Sequence, residues 1–249
     1  VEEKFLGEEF SLMSFCDGTS CAHMPVVQDH KRAFEGDTGP NTGGMGTYSF
    51  ANHSLPFLSK QDVLDAQQTN ERVALELYKQ TGQRFRGILY GGFMLTKKGV
   101  KVIEYNARLG DPEAMNVLSI LETDFIEICN AVVSGSLASL KISFKNEATV
   151  CKYAVPVGYP DSPSKNFEVF CNPEDHNLYL AAVQKTAGGL IATGSRTAAF
   201  VGINQKIGVA EKLAEKGVSE VKGNLFHRKD IGTGELINLR IKHMKEILR

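Results

Sequence analysis

A carboxylate and an amide lie two residues apart at the end of an apolar, β-branched run, in the segment KVIEYNARLGDPE at 101–113. Alternate residues of a strand point to the same face, so the side-chain oxygens of Glu104 and Asn106 can aim at one point. Such hard oxygen donors suit Mg²⁺ beside phosphates rather than zinc or copper. The pair therefore indicates a magnesium site, although an ordinary strand edge with solvated charges also produces the short Glu-x-Asn pattern.

A second group of candidate residues lies in a glycine-rich stretch, QDHKRAFEGDTGPNTGGMGT at 28–47. Lysine and arginine beside a metal site would hold phosphoryl or carboxylate oxygens, and a solvated basic turn is the alternative interpretation of QDHKR. The glycines allow positive φ and a close approach of the backbone to a ligand. Because the stretch offers hydroxyl and amide groups but no strong base, it is typical of a loop that grips a small polar substrate.

Other motifs give weaker or negative signals. The sequence has no GxSxG, HExxH or P-loop motif, and no segment resembles a GxGxxG turn, so a protein nucleophile is not indicated. The acidic opening VEEKFLGEE could present backbone groups to an adenine edge and a carboxylate to ribose hydroxyls. A charged edge strand is the alternative interpretation of that opening.

Local patterns predict the elements that must position these residues. Period-2 and period-3.6 apolar patterns, together with turn residues, separate strands from helices. The predicted elements in chain order are a hairpin from the runs 9–16 and 22–27, a long loop at 28–47, a helix at 60–80, two strands on either side of Lys97-Lys98-Gly99, a helical segment at Asp111–Ser134 and a helix at about 204–216.

The residue pattern of the chain changes near 142–148, where a polar, loop-like segment predicts a domain boundary. Short strands with one or two helices follow it, as in a small α+β unit. We predict an α+β fold in which residues 1–143 form an antiparallel sheet with helices and residues 144–249 form a smaller α+β domain. The start at Val1 looks like the interior of a domain, which predicts a fragment or one half of a split protein.

Composition restricts the class of function. The chain has 249 residues, a net charge of −1, 42% hydrophobic and 23% charged residues, which is typical of one or two globular domains. No run approaches the ~18–20 apolar residues of a membrane span, and the near-neutral charge argues against a nucleic-acid surface. Five cysteines without a CxxC pair argue against zinc and a disulfide framework and favour a reducing cytoplasm. Cys16, Cys129 and Cys151 lie in apolar surroundings, so we predict that they are core residues.

The segments QDHKR, GDTGPNTGGMG, YNARLGDPE and FHRKDIG occur in this order. Together they resemble the ATP-grasp superfamily and, within it, the phosphoribosylamine–glycine ligase family, from residue 1 to about residue 234. The resemblance implies that residues 1–143 are the second half of an ATP-grasp unit and that residues 144–249 are the C-terminal domain of the ligase. It also implies an N-terminal region that this chain lacks, with much of the phosphoribosylamine site and the mobile lid, so the chain alone is expected to be inactive.

The resemblance implies ATP-dependent ligation of glycine to 5-phosphoribosylamine in de novo purine biosynthesis. ATP would phosphorylate the glycine carboxylate, and the amine would attack the glycyl phosphate to give glycinamide ribonucleotide, ADP and phosphate. The expected ligands are ATP, glycine and phosphoribosylamine, with Mg²⁺ or Mn²⁺. The expected protein partner is the missing N-terminal region, and no nucleic acid or membrane is expected.

Residue roles follow from the resemblance, position by position. Glu104 and Asn106 match the metal ligands, and the preceding strand lacks the additional carboxylate of many ATP-grasp enzymes. Arg108 is expected to face the acyl phosphate or the substrate carboxylate, and Lys31 and His30 are expected to contact nucleotide or phosphate. The expected substrate pocket consists of Asp37, Asn41, Thr42, Gly43, Gly44 and Asp111. The expected adenine and ribose contacts are Glu2, Glu3 and Glu9.

Three alternatives stay open at this point. The first is another ATP-grasp enzyme, such as a different carboxylate–amine ligase or a biotin-dependent carboxylase, although the DTGPNTGGMG segment speaks against it. The second is a non-catalytic half that docks on a separate N-terminal chain. The third is a structural fragment without a ligand of its own, for which ATP would not raise the melting temperature.

Overall fold

The computed structural model describes residues 3–249, which form antiparallel sheets covered by helices. Its strands are β1 (Gly7–Cys16), β2 (Cys21–His23), β3 (Gln28–Asp29), β4 (Arg32–Phe34), β5 (Thr38–Asn41), β6 (Gly46–Ser49), β7 (Gly87–Thr96), β8 (Gly99–Asn106), β9 (Ala148–Pro156), β10 (Phe167–Val169), β11 (Leu178–Leu180), β12 (Val183–Thr186), β13 (Gly189–Ala192), β14 (Ala198–Asn204) and β15 (Leu225–Phe226). Its helices are α1 (Lys60–Thr81), α2 (Glu113–Leu118), α3 (Phe125–Ser134), α4 (Ile207–Glu220) and α5 (Gly234–Ile247), with 3-10 turns at Glu35–Asp37 and Leu137–Ser139.

The first sheet has four antiparallel strands in the order β2-β1-β7-β8. β1 and β7 are apolar and pair along their whole length, which makes them the rigid centre of this sheet. The long helix α1 lies against the sheet; Ser59 caps its N-terminus, and Gly82 ends it in the left-handed conformation that glycine favours. The buried amide of Asn70 fastens α1 to the sheet, since its Nδ2 donates to the Leu12 carbonyl at 3.1 Å.

The second sheet joins the two parts of the chain. Its strands run in the order β11-β14-β9-β6-β3, and β15 also pairs with β9. β9 is buried along all of its residues, and it pairs with β6 from Gly46 opposite Lys152 to Ser49 opposite Thr149. The predicted domains 1–143 and 144–249 therefore share one sheet, and the boundary between them stays a prediction. Smaller sheets, β10-β13-β12 and β4-β5, lie beside it.

A buried lysine fastens α4 to β9. Lys152 Nζ lies 2.7 Å from Glu211 Oε1 and 2.8 Å from Glu215 Oε2, and it donates to the Lys229 carbonyl at 2.8 Å. The side chain is 0% exposed, so these three partners are what allows the charge to be buried. Close packing of α4 also depends on Gly202 of β14, where a Cβ would lie 1.9 Å from a helix carbonyl.

Most of the predicted elements are confirmed. The fold is α+β, the helix at 60–80 is α1, the strands beside 97–99 are β7 and β8, and the helix near 204–216 is α4. The hairpin is present as β1 and β2, although β2 ends at His23. Cys16 and Cys151 are buried as predicted, but Cys129 is exposed on α3, so its prediction as a core residue is wrong.

Two predictions of local structure are wrong. Residues 28–47 are not one long loop, because β3, β4, β5 and the start of β6 lie within them. The predicted helical segment Asp111–Ser134 is interrupted between α2 and α3. Asp124 starts the second helix, since its Oδ1 accepts from the backbone N–H groups of Ile126 and Glu127, which is the pattern of a helix N-cap.

No helix within residues 3–249 combines the length and the apolar character that crossing a membrane requires.

Candidate functional site

Glu104 and Asn106 lie on the same face of β8, as their spacing predicts. Between them, Tyr105 donates from its hydroxyl to Asn70 Oδ1 of α1 at 3.0 Å, so the two candidate metal ligands face away from α1. The register between β7 and β8 shifts next to Glu104, which lies opposite Gly92. A β-bulge of this kind re-aims side chains beside many sites. Their role in metal binding stays a prediction.

A cleft opens on this face of the first sheet. Lys31 Nζ lies 3.9 Å from Glu104 Oε1 and 3.9 Å from Glu9 Oε2, so the lysine ammonium group lies between these two carboxylates. Glu104 remains half exposed in the cleft. Gly92 leaves room beside it, because a Cβ at that position would lie 3.2 Å from Glu104 Cγ. The cleft is lined by Glu9, Phe10, Ser11, Asp29, Lys31, Tyr90, Gly92, Phe93, Ile103 and Glu104.

A second carboxylate pair lies next to the cleft. Burial and the neighbouring Glu113 carboxylate hold the pKa of Asp29 well above its usual range. Glu113 is itself buried and accepts a hydrogen bond from the Tyr90 hydroxyl at 2.7 Å. Gly44 approaches Asp29 closely, since a Cβ at Gly44 would lie 2.8 Å from Asp29 Oδ1. The surroundings of Asp29 therefore disfavour its charged carboxylate form. Asp29 lies where the glycine-rich loop (residues 42–45) meets the cleft.

The glycine-rich loop, meaning residues 42–45 between β5 and β6, is held by two sets of hydrogen bonds. Thr42 donates from its backbone N–H and its hydroxyl to the Lys31 carbonyl, at 2.7 and 2.9 Å. Arg196 Nη1 donates to the carbonyls of Gly43 and Gly44, at 2.7 and 3.2 Å. Arg196 Nη2 also pairs with Asp111 Oδ2 at 2.8 Å. The structure therefore brings four predicted residues together around Arg196, which belongs to residues 144–249, the terminal segment. The four are Thr42, Gly43, Gly44 and Asp111.

Asp37 lies apart from that group, in a network of buried charges. Arg228 Nη1 lies 2.8 Å from Asp37 Oδ1, and Arg240 pairs with the other carboxylate oxygen. Arg228 also holds Asp230 through two nitrogens, at 2.9 and 2.6 Å. Burial raises the pKa of Asp37, the nearby Arg240 charge lowers it, and the net shift is downward. Asp37 is thus already neutralised, an arrangement that fits positioning of the loop better than direct contact with a substrate.

His30 is also removed from the cleft surface. The residue is 1% exposed, and its Nδ1 donates to the Gly46 carbonyl at 3.2 Å. Its Nε2 is buried and has no hydrogen-bond partner within the described residues. Burial, followed by the positive charges of Arg240 and Arg228, lowers the pKa of His30 to about 3. Its predicted contact with nucleotide or phosphate would require this packed region to open.

The buried ring makes stability depend on pH. The folded pKa of about 3 lies below the ordinary histidine value of about 6.5, so the unfolded chain takes up a proton first as the pH falls. The stability from a neutral His30 is complete above about pH 6.5 and is lost progressively as the pH falls toward 3. Between pH 6 and 4 we expect this residue to lower the free energy of unfolding by about 1.4 kcal/mol per pH unit.

Urea unfolding at several pH values tests this expectation. His30→Gln should lose that slope relative to the wild type, whereas the exposed His176→Gln should keep it. Equal slopes in wild type and His30→Gln would show that His30 titrates normally in the folded chain.

The other predicted residues are placed as follows. Arg108 is exposed and donates from Nη1 to the Leu109 carbonyl at 2.9 Å. Asn41 Oδ1 accepts from Arg32 at 3.4 Å. Glu3 lies 3.3 Å from Lys98 Nζ on the β7–β8 turn and is not among the cleft residues. Glu2 lies outside the described residues. The adenine, ribose and phosphate roles of these residues stay predictions.

Some residues of the site were not predicted. Asp29 and Glu113 lie inside the motifs QDHKR and YNARLGDPE, and their place within those motifs is the signal that could have marked them. Arg196 and Arg240 lie in the terminal segment without any motif around them. Only the fold brings them to the loop, across 152 or more positions of the chain.

Within residues 3–249, the protein does not supply a complete set of metal ligands by itself. Across residues 3–249, no group of three or more His, Cys, Asp or Glu side chains is placed to hold a metal ion. Mg²⁺, however, is commonly bound through one or two protein oxygens completed by substrate phosphates and water. Two oxygen side chains on a bulged strand, beside a cleft that contains Lys31 and a glycine-rich loop, form the arrangement expected of an ATP-grasp protein.

Comparison with known families agrees with that class. The family models described as phosphoribosylglycinamide synthetase, ATP-grasp (A) domain, and phosphoribosylglycinamide synthetase, C domain, match residues 1–114 and 149–234. The chain belongs to the phosphoribosylglycinamide synthetase family.

Named relatives and solved structures give the same result. The chain is 52% identical over 248 residues to the phosphoribosylamine–glycine ligase of Methanosarcina barkeri, covering 99% of this chain and 57% of that protein. The crystal structure of the same ligase from Thermotoga maritima superposes with a TM-score of 0.80 at 28% identity, covering 92% of this chain and 56% of that one. Urea carboxylase of Kluyveromyces lactis has a TM-score of 0.65 at 12% identity, over 89% of this chain and 18% of that one, and shares the fold alone. The chain thus spans somewhat more than half the length of its curated relatives.

Proposed function

We propose that this chain is part of a phosphoribosylamine–glycine ligase, which joins glycine to 5-phosphoribosylamine at the expense of ATP. The observation that carries the proposal is the shared face of Glu104 and Asn106, with Glu104 opening on the cleft that contains Lys31. The names of relatives at about 50% identity support it. The products would be glycinamide ribonucleotide, ADP and phosphate, as a step of purine biosynthesis in the cytoplasm.

Glu104 and Asn106 would hold Mg²⁺ or Mn²⁺. Their carboxylate and amide oxygens fit a hard divalent cation, and Glu104 is near one positive group already, Lys31 Nζ at 3.9 Å from its Oε1. When bound, the ion neutralises phosphate and carboxylate oxygens that must come together. This set of donors is small, so water and the oxygens of the substrates complete it.

The remaining chemistry requires charge neutralisation and orientation rather than a protein nucleophile. Phosphoryl transfer to a carboxylate brings several anions into contact, and positioned cations stabilise the charge of the transition state. Lys31 lines the cleft and would contact such oxygens. Arg108 comes two residues after Asn106, and its guanidinium is exposed. The loop at Gly43 and Gly44, fixed by Arg196, would form one wall of the substrate pocket.

Asp29 would bind the amino group of glycine. An amino acid presented to the metal by its carboxylate has its ammonium group a few ångströms away, and Asp29 lines the same cleft as Glu104. The raised pKa of Asp29 reflects burial and the Glu113 charge, and an ammonium group would compensate for both. The absence of a side chain at Gly44, close to Asp29 Oδ1, leaves space for the backbone to approach a small substrate.

A substitution of Asp29 tests this role. In the complete ligase, meaning this chain together with the N-terminal region that the family resemblance implies, Asp29→Asn should raise KM for glycine at least about tenfold. The reason is that a charge-assisted hydrogen bond is lost, worth about 1.5–3 kcal/mol. The KM for ATP should change little. Asp161→Asn, at an exposed loop position, is the matched control, and an unchanged glycine KM in Asp29→Asn would exclude the contact.

The reaction itself is tested with the complete ligase. Labelled glycine should be incorporated into glycinamide ribonucleotide only when ATP, a divalent metal and phosphoribosylamine are all present. Offering other amines and carboxylates in the same assay separates this ligase from other ATP-grasp enzymes. Preference for a different acceptor would overturn the proposed substrate while leaving the ATP-grasp class intact. The chain alone is expected to release no phosphate from ATP.

A further inference from the structure

Two cysteines face each other at the end of the first sheet, far from the cleft. Cys16 ends β1, Cys21 begins β2, and the two are register partners. The backbone hydrogen bonds on either side of the two cysteines show whether they form a hydrogen-bonded or a non-hydrogen-bonded pair of the ladder. Asp17 N donates to Ser20 O at 3.1 Å, and four positions further along the ladder Met24 N donates to Met13 O at 2.9 Å.

Hydrogen-bonded and non-hydrogen-bonded pairs alternate along an antiparallel ladder. Counting from the Asp17 pair, Cys16 and Cys21 form a non-hydrogen-bonded pair. In such pairs the Cα atoms lie only about 4.5 Å apart and the side chains are closest, which is within the range that a disulfide can bridge. The two sulfurs are 3.0 Å apart, so a small approach of the side chains would suffice to join them.

The turn that connects the two cysteines is fixed. Asp17 Oδ1 accepts from the backbone N–H groups of Thr19 and Ser20, at 2.8 and 2.7 Å. Its other oxygen accepts from the Leu137 N–H at 2.9 Å, which fastens the turn to the rest of the molecule. The thiols are therefore held together before any bond forms between them.

The two thiols differ in access and in acidity. Cys16 is 0% exposed, whereas Cys21 is partly exposed and lines a groove of about 710 Å³ together with Glu71, Arg72 and Arg84. A hydrogen bond from the Cys16 thiol lowers the pKa of Cys21. Cys21 is thus the sulfur that a small reagent entering the groove would meet first, and the one more readily present as a thiolate.

We propose that Cys16 and Cys21 form a dithiol site that a hydroperoxide oxidises reversibly to an intrachain disulfide. The Cys21 thiolate attacks the peroxide, the O–O bond breaks, and the leaving oxygen takes a proton, which gives a sulfenic acid at Cys21 and an alcohol or water. The Cys16 sulfur then attacks the Cys21 sulfur, the S–O bond breaks, and hydroxide leaves as water with the Cys16 proton. Two thiols lose two electrons and two protons in total, and the hydroperoxide takes up both.

The site is separate from the proposed ligase chemistry. Along β1, Cys16 is five residues from the nearest cleft residue of that strand, Ser11, a distance of roughly 17 Å in an extended strand. Oxidation would lock the β1–β2 turn without placing new atoms in the cleft. The proposal therefore stands independently of the ligase function.

Mass spectrometry of the full chain tests the proposal directly. Trypsin should release Phe5–Lys31, which contains Cys16 and Cys21 but no other cysteine. After treatment of the reduced chain with a small excess of hydrogen peroxide and blocking with N-ethylmaleimide, this peptide should be two hydrogens lighter and unlabelled. Dithiothreitol should restore labelling at both positions. A fully labelled peptide, with Cys129 or Cys171 oxidised instead, would overturn the proposal.

Variants separate the roles of the two thiols. Cys16→Ser should stop at a sulfenic acid on Cys21 that dimedone traps. Cys21→Ser should slow oxidation within the peptide at least about tenfold, since Cys16 is inaccessible. Cys129→Ser, at an exposed position of α3, is the matched control and should form the disulfide like the wild type. Oxidation of Cys16 at the wild-type rate in Cys21→Ser would contradict the proposed order. If Cys16→Ser does not fold, the wild-type peptide still decides.

Discussion

We expect Glu104→Ala to lower the kcat of the proposed complete ligase at least about tenfold at ordinary Mg²⁺ concentrations, which corresponds to about 1.4 kcal/mol or more in the barrier. Glu104 supplies the only carboxylate of the proposed two-residue donor set, and within residues 3–249 no group of three or more His, Cys, Asp or Glu side chains is placed to hold a metal ion. Asn106 alone is a neutral ligand and would hold the ion weakly. Without the carboxylate, the ion must be retained by substrate oxygens and water.

The measurement that checks this is kcat as a function of Mg²⁺ concentration. The variant should need more metal for half-maximal activity, because one protein ligand is missing. Glu76→Ala, at an exposed position on α1, removes a carboxylate of the same type and should leave both quantities unchanged. Wild-type turnover of Glu104→Ala at ordinary Mg²⁺ would remove Glu104 from the site and the central support for the proposed function.

We expect Arg228→Ala to lower the free energy of unfolding by about 3–5 kcal/mol, the cost of breaking a buried ion pair by removing one partner. The Arg228 side chain is 1% exposed. Its nitrogens hold Asp37 and Asp230, and one of them also donates to the Arg32 carbonyl at 3.1 Å. Arg240 still neutralises Asp37 in the variant, whereas Asp230 loses its arginine.

Urea unfolding of the 249-residue chain measures the effect. Lys229→Ala changes the neighbouring exposed side chain and should stay within about 0.5 kcal/mol of the wild type. Arg228→Lys should recover only part of the loss, because an ammonium group cannot reproduce the two-point fork. A loss below about 1 kcal/mol in Arg228→Ala would show that the network contributes little to stability.

Elements that depend on local pattern were predictable from the sequence. The amphipathic period and the N-cap serine of α1, and the alternation in β7 and β8 around a Lys-Lys-Gly turn, are properties of neighbouring residues. The shared face of Glu104 and Asn106 is likewise set by the two-residue period of a strand. The two oxygen donors could therefore be predicted from the sequence, whereas the residues that surround them in the fold could not.

Features that depend on distant pairing were not predictable. β3, β4, β5 and β6 have two to four residues each, too few for a periodic signal, and β6 exists because it pairs with β9 about one hundred residues later. Arg196, a partner of the glycine-rich loop, comes from the terminal segment outside any motif, and no local pattern reports its contacts, whereas Arg228 lies within the FHRKDIG motif.

The sheet shared by β6 and β9 limits how the two parts of the chain can move relative to each other. β6 carries the end of the glycine-rich loop, and β9 is the first strand of the terminal segment, so a hinge between them would have to break a row of backbone hydrogen bonds. Arg196 adds a second tether, from the terminal segment to the loop itself. These residues should therefore move as one block, and any opening motion of the proposed ligase must bend at another place in the chain.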